Sequence, residues 1–513
     1  MLTHFIRFGV VLVALWGSLL WILLQQELAT LLEGANAALW SWSVLAVCSV
    51  LLSLSIWWIH HYYHTIFYAI GKPWMNPQIP SMKRLEMHVP LRLYDDVDKA
   101  RRAACLPHMV ACNTTPPMGS GKMDLLGGLT RNVWLLDSLP WKFQLCSTVE
   151  DGLALVQQDT AAAATGSNEN SLGSNWASIK VPGHWMLQGF DDIPIYTNKK
   201  YPFPCTPPVV PRQNPTGVYK LAIDFPSIWK HGDDEYTLLI HGMESACFVY
   251  WNGTLLGFCK DSRLPSEFTI SKDLLLESSD TPPILHLVVV RWSDGSYMED
   301  QDHWWMAGLH RSVELIRRPS RADILDYRVR ATAARELTVA VQLRCHERKS
   351  QVILESRLYE DSQLTADGDK WHPAQRPLWS QTKEIAADDD KSATTTLIFE
   401  SSTLPDVKLW TAETPILYTL VLIQSDATTG DTLQVETCRV GFRSIEIRQD
   451  GVLRVNGEPI TICGINRHEH DPDYGKVVSL DRMKQDIVTL KYVIQSRGSR
   501  QDRDGTHQIF FIF

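Results

Sequence analysis

Three groups of polar residues in this chain have types and spacings that could do chemistry. His468 and His470 alternate with Glu469 in the run Asn466-Arg-His-Glu-His470, so on an extended strand both imidazoles face one way. Such a pair can ligate a metal, but zinc takes three or four protein ligands and this run offers two. Asp294 precedes Gly295 inside Arg291-Trp-Ser-Asp-Gly-Ser-Tyr297, and Asn198 closes Pro194-Ile-Tyr-Thr-Asn198. Read without context, these are a turn carboxylate and a loop amide. Trp304 and Trp305, beside Asp300, Gln301 and Asp302, have the form of a stacking platform.

Such groups need a scaffold, and the text beyond Lys72 supplies short β-like runs broken by turn signals. Asn252-Gly253 separates Phe248-Val-Tyr-Trp from Thr254-Leu-Leu-Gly-Phe as a hairpin, because Asn-Gly readily adopts the positive-φ turn that matches strand twist. The run 284–292 predicts a strong strand. The alternation of Leu, Val, Val and Leu over 336–345, with a β-rich run at 416–423, predicts a second antiparallel sandwich. The Ala-, Gly-, Ser- and Asn-rich stretch 160–175 reads as a flexible loop insertion. After Arg443 a hairpin at Asn456-Gly457 leads to a helix with Ser479 as N-cap and Leu480, Met483, Ile487 and Leu490 on one face. From Tyr492 onward no periodicity is visible.

Composition narrows the class. At 45% hydrophobic and 21% charged residues the chain is globular, and its net charge of −9 speaks against a nucleic-acid partner. The 10 cysteines form no C-x-x-C pair, so neither a zinc ribbon nor a disulfide scaffold is expected. Residues 1–72 hold two long uncharged stretches, 8–24 and 36–59, each about the 20 residues a bilayer span takes. The acidic connection and the basic flanks (Arg7, Lys72, Lys83, Arg84) place both flanks in the cytosol. The expectation is a membrane protein anchored by N-terminal transmembrane helices, with cytosolic β domains.

Five phrases carry a resemblance: the two loops around Asn198 and Asp294, Asn214-Pro-Thr-Gly217, Asp261-Ser-Arg-Leu-Pro-Ser-Glu-Phe268 and Asn466-Arg-His-Glu-His470. Together they resemble the long, multidomain β-galactosidases of glycoside hydrolase family 2, from near Trp74 to near Lys491. The resemblance implies a mainly β chain: a jelly-roll sugar-binding domain at 74–319, an immunoglobulin-like sandwich at 320–443 and the start of a (β/α)8 catalytic barrel at 444–491. An unrelated tail follows at 492–513. It also implies substrate-binding roles for Asn198, Asp294 and His468, with His468 at the end of the first barrel strand. Asp294 would help hold sodium, in keeping with its hard oxygen donors.

A retaining glycosidase needs two carboxylates about 5 Å apart. The family takes them, and its magnesium ligands, from later barrel strands, and nothing here matches those strands. Only about seventy residues follow Arg443, whereas a closed barrel takes about 250. The expectation is a β-galactosidase-type hydrolase in truncated form, inactive by itself, with no catalytic residue present, no magnesium site and an incomplete sodium site. The alternative is a membrane-tethered carbohydrate-binding protein without catalysis. The partners implied are galactoside sugars, and the family is often homo-oligomeric.

Overall fold

The computed structural model describes residues 71–105, 130–165, 175–197, 199–226, 234–276, 282–345, 351–361, 373–386, 394–465, 467–497 and 507–512, with Ser53 and Trp229. The chain divides at Lys72/Pro73, and the architecture below is that of Pro73–Phe513.

A seven-stranded antiparallel sheet forms one layer of the first sandwich, its centre made by Ala246–Trp251, Ile284–Val290 and Thr216–Ala222. Facing it is a four-stranded sheet with Glu235–Ile240 and Val313–Arg318 at its centre. Trp141, Phe143, Trp185, Tyr219, Trp251 and Phe268 fill the space between, all almost fully buried. The phrase ending in Gly217 has a packing reason: a Cβ there would lie 2.6 Å from the Phe143 ring. The hairpin at Asn252-Gly253 joins Ala246–Trp251 to Thr254–Lys260, with φ of +46° and +75° at the two turn residues. Both values fit a type I′ turn.

The second sandwich packs three strands against four. Ala322–Ala331, Leu337–Cys345 and Thr394–Ser401 form one sheet, and Gln351–Tyr359 and Tyr418–Asp426 are the central strands of the other. The alternation read in the sequence is seen directly, since Leu337, Val339, Val341 and Leu343 all point into the core. After Val440 come three short antiparallel strands ending in Glu458–Ile465, then the helix Leu480–Arg497 and the strand His507–Ile512.

Three expectations change. The Ala run at 160–165 is not loop but the last turns of the helix Val149–Thr165, because alanine is the strongest helix former; residues 166–174 lie outside the described residues. The tail expected to be patternless carries the helix on to Arg497, and His507–Ile512 pairs in parallel with Glu458–Ile465, Ile460 opposite His507 through Ile465 opposite Ile512. Strand, helix and parallel strand together make the βαβ unit with which a (β/α)8 barrel begins.

The third change concerns the membrane. Among the described residues no helix is long and apolar enough to cross a bilayer. The longest, Leu480–Arg497, carries Asp481, Arg482, Lys484 and Asp486, whereas a span needs about 20 mostly apolar residues. The fold class of the described residues therefore contains no transmembrane helices and is two β-sandwiches and the start of a barrel. Apart from Ser53, the stretches 8–24 and 36–59 lie outside the described residues.

Candidate functional site

Residues of the quoted phrases are held by hydrogen bonds and ion pairs to one another and to neighbouring loops. Asn214 Nδ2 donates to Trp292 O at 2.8 Å, and Trp292 N returns a bond to Asn214 Oδ1 at 2.9 Å. Arg291 pairs with Asp192 and donates to Ile193 O at 2.8 Å, which ties the 291–297 loop to the 191–197 loop. Tyr196 donates to Asp302 at 2.5 Å. Ser262 gives both its backbone N–H (2.7 Å) and its hydroxyl (2.5 Å) to Glu299. Burial pushes the Glu299 carboxyl above its ordinary range, partly offset by these Ser262 bonds.

A cleft of about 190 Å3 is lined on the sandwich side by Arg263, Gln301, His303, His310 and Arg311, neighbours in sequence of the clasped residues Ser262, Glu299 and Asp302. Arg263, Arg311, Arg467 and Lys476 supply its positive charge, His303, His310, His468 and His470 its imidazoles, and Glu469 its carboxylate. The far wall is the loop that follows Glu458–Ile465, the first barrel strand, docked by a buried anchor. Lys476 Nζ lies 2.5 Å from Glu244 Oε2, and its backbone N–H donates to His184 Nε2 at 3.1 Å. His184 Nδ1 in turn donates to Ala307 O at 3.2 Å, so the ring is held as the neutral tautomer. Burial lowers the His184 pKa to about 4, against the pull of Glu244. His310 stacks on His184 at 6.1 Å, is buried, and leaves both ring nitrogens unbonded. Desolvation holds it neutral as well.

His468 is exposed and lines the cleft, three residues past the end of its strand and in an irregular loop rather than on the strand. Among the described residues no group of three or more His, Cys, Asp or Glu is placed to hold an ion with His468 and His470. Trp304 lies at the surface with Tyr196 5.6 Å away, while Trp305 is buried against Trp292 at 5.5 Å. The pair thus divides into one surface ring and one core ring. Asn198 lies outside the described residues.

Asp294 opens the short turn Asp294–Tyr297 and is buried. Burial raises its carboxyl pKa, and the bond and charge of Lys260 work against that rise. Lys260 Nζ sits 2.8 and 3.0 Å from the two carboxylate oxygens and 3.0 and 3.2 Å from Asn76 O and Pro73 O. The oxygens an alkali ion would require are present, but an ammonium already holds them, so the set does not fit sodium as it stands. Lys260, Lys476 and Glu244 carry no signal in the sequence: each looks like an ordinary surface charge until the loops are folded together.

Residues 151–319 match the sugar binding domain of glycosyl hydrolases family 2, residues 322–443 the central glycosyl hydrolases family 2 domain, and residues 445–496 the family's TIM barrel domain. A sandwich with loops that line a cleft, followed by a second sandwich and a barrel start, is the architecture of a multidomain glycosidase. The chain belongs to glycosyl hydrolases family 2. It is 33% identical over 425 residues to a β-galactosidase of Enterobacter cloacae, covering 82% of this chain and 36% of that one. It is 37% identical over 371 residues to a β-galactosidase of Alteromonas mediterranea, covering 72% and 33%. The chain therefore spans about a third of the length of these relatives. A β-glucuronidase of Bacteroides uniformis shares the fold over 70% of this chain and 38% of its own, with a TM-score of 0.52 and 20% identity.

Proposed function

We propose that this chain forms the sugar-gripping wall and barrel entrance of a β-galactosidase-type glycoside hydrolase, which removes terminal non-reducing β-D-galactose with retention of configuration. The observation that carries the reading is the identity to β-galactosidases over 82% of the chain, and the family's sugar binding and TIM barrel domains between them contain every residue lining the cleft. In this reading Asn198, Asp294 and His468 meet the galactose hydroxyls. His468 is the exposed donor, and Asp294 keeps one oxygen lone pair on each side beyond those taken by Lys260.

Retaining hydrolysis needs an acid/base and a nucleophile about 5 Å apart. The cleft's described lining holds one carboxylate, Glu469, which lies 3.5 Å from Arg311. The catalytic pair and the magnesium ligands of the family are therefore assigned to later barrel strands, and no residue of this chain is given either role. Chain assayed alone should not hydrolyse an aryl β-galactoside, and turnover should appear when a barrel part from a relative is added in trans. Turnover by the chain alone that vanishes with Glu469→Gln would overturn this division of labour.

The single carboxylate favours a second reading, a carbohydrate-binding protein without catalysis. Two or three exposed hydrogen bonds of about 1 kcal/mol each barely offset the cost of immobilising a sugar, so galactose affinity would be millimolar or weaker. Absence of turnover in trans, with millimolar galactose binding that Asp294→Ala abolishes, selects this reading.

A further inference from the structure

We propose that in this protein the cation at Asp294 is the Lys260 ammonium itself, and that the chain binds no alkali ion there. The proposal concerns cation binding and stands apart from whether the chain hydrolyses or only binds galactosides.

The geometry is that of an oxygen cage closed around one positive charge. Four oxygens converge on Lys260 Nζ: Asp294 Oδ1 at 2.8 Å, Asp294 Oδ2 at 3.0 Å, Asn76 O at 3.0 Å and Pro73 O at 3.2 Å. The ammonium has three protons, so the two carboxylate oxygens share one and each carbonyl takes another. One charge of each sign is present, and both side chains are less than a tenth exposed.

The backbone fixes each partner before the pair forms. Lys260 ends the strand Thr254–Lys260, and its N–H donates to Pro80 O at 3.1 Å. Asp294 follows the Asn214–Trp292 clasp and starts a turn in which Ser296 N bonds to Ser293 O at 2.9 Å. The lysine therefore reaches Asp294 from a strand end that cannot move away without breaking the edge of the sheet. An alkali ion coordinated by the same carboxylate would stand a few ångströms from the ammonium, and two like charges at that separation repel strongly where water is excluded. The same hard oxygens suit an alkali ion only once the ammonium is gone.

Thermal unfolding of the full chain in sodium chloride and in choline chloride, at equal ionic strength, tests this. The unsubstituted protein should melt at the same temperature in both salts. Lys260→Ala leaves a carboxylate and two carbonyls facing a vacant space, so its melting temperature should fall by about 5 to 15 °C in choline chloride. Sodium should restore a saturable part of that loss. A melting temperature of the unsubstituted protein that rises saturably with sodium would overturn the proposal, because an alkali ion would then bind beside the ammonium. If Lys260→Ala does not fold, sodium-23 relaxation on the unsubstituted chain decides. No saturable broadening supports the ammonium as the resident cation; saturable broadening that Asp294→Asn abolishes refutes it.

Discussion

The loops of the first sandwich and the loop that leads into the helix of the barrel start lie on opposite sides of the same cleft, and the two regions are stabilised in opposite ways. On the sandwich side Asn214, Trp292, Arg291 and Asp192 lock the loops to one another above a core of aromatic rings. On the barrel side Met483 is buried, but Ile487, Val488 and Tyr492 are 45%, 65% and 73% exposed. Among the helix's described side chains only Met483 is buried, with Leu480 and Leu490 half-buried, where an amphipathic helix in a finished domain buries a whole stripe. The difference teaches that the loops of the first sandwich are organised by their own domain. The βαβ unit, by contrast, depends on its docking contact through Lys476, Glu244 and His184.

The largest test of that contrast is Phe143→Ala. Its ring is fully buried and packs on Phe190 at 4.5 Å and Tyr219 at 4.9 Å, so truncation should cost about 4 kcal/mol in urea unfolding. A loss below about 1 kcal/mol would show that the loops do not rest on this core. Next comes Lys476→Met, which leaves Glu244 buried without its closest partner and should cost about 3 kcal/mol. Limited proteolysis should then cut within 467–497 while the sandwich resists; simultaneous cleavage of both would erase the distinction drawn here.

A smaller effect is expected from acid. His184 is buried and its folded pKa, about 4, lies below the ordinary 6.5, because charging it would strip its solvent and oppose a second N–H to that of Lys476. Its contribution to stability is therefore complete above pH 6.5 and is lost as pH falls toward 4. A separation of this size corresponds to about 3 kcal/mol when fully expressed, and only part of it is lost by pH 5. His184→Gln should flatten the stability profile between pH 6.5 and 4, and an unchanged slope would place the acid sensitivity elsewhere. The smallest effect belongs to Ile487→Ser, which should change stability by less than about 0.5 kcal/mol. A cost above about 1 kcal/mol would mean that the helix face is covered in solution.

Much of this architecture could be read from local pattern. Asn252-Gly253 and Asn456-Gly457 announce their turns because few residues accept positive φ, and all four have it. The alternation from Leu337 to Cys345 announces a strand with one wet face, and Ser479 caps its helix by accepting the Arg482 N–H at 3.2 Å. The strand His507–Ile512 was not legible for a physical reason. A parallel strand reads as an apolar run without alternation, and the four apolar residues at 509–512 are too few to show a period of their own.

Residue type and spacing by themselves determined the sandwiches, the turns and the family, because each depends on neighbours a few positions apart or on phrases preserved whole. The tertiary structure alone decided which charges meet. Lys260 and Asp294 are 34 positions apart and Glu244 and Lys476 are 232 apart. A lysine in a sequence is a solvated charge by default, and only the closing of strand ends and loops around it removes the water and selects the carboxylate it must pair with.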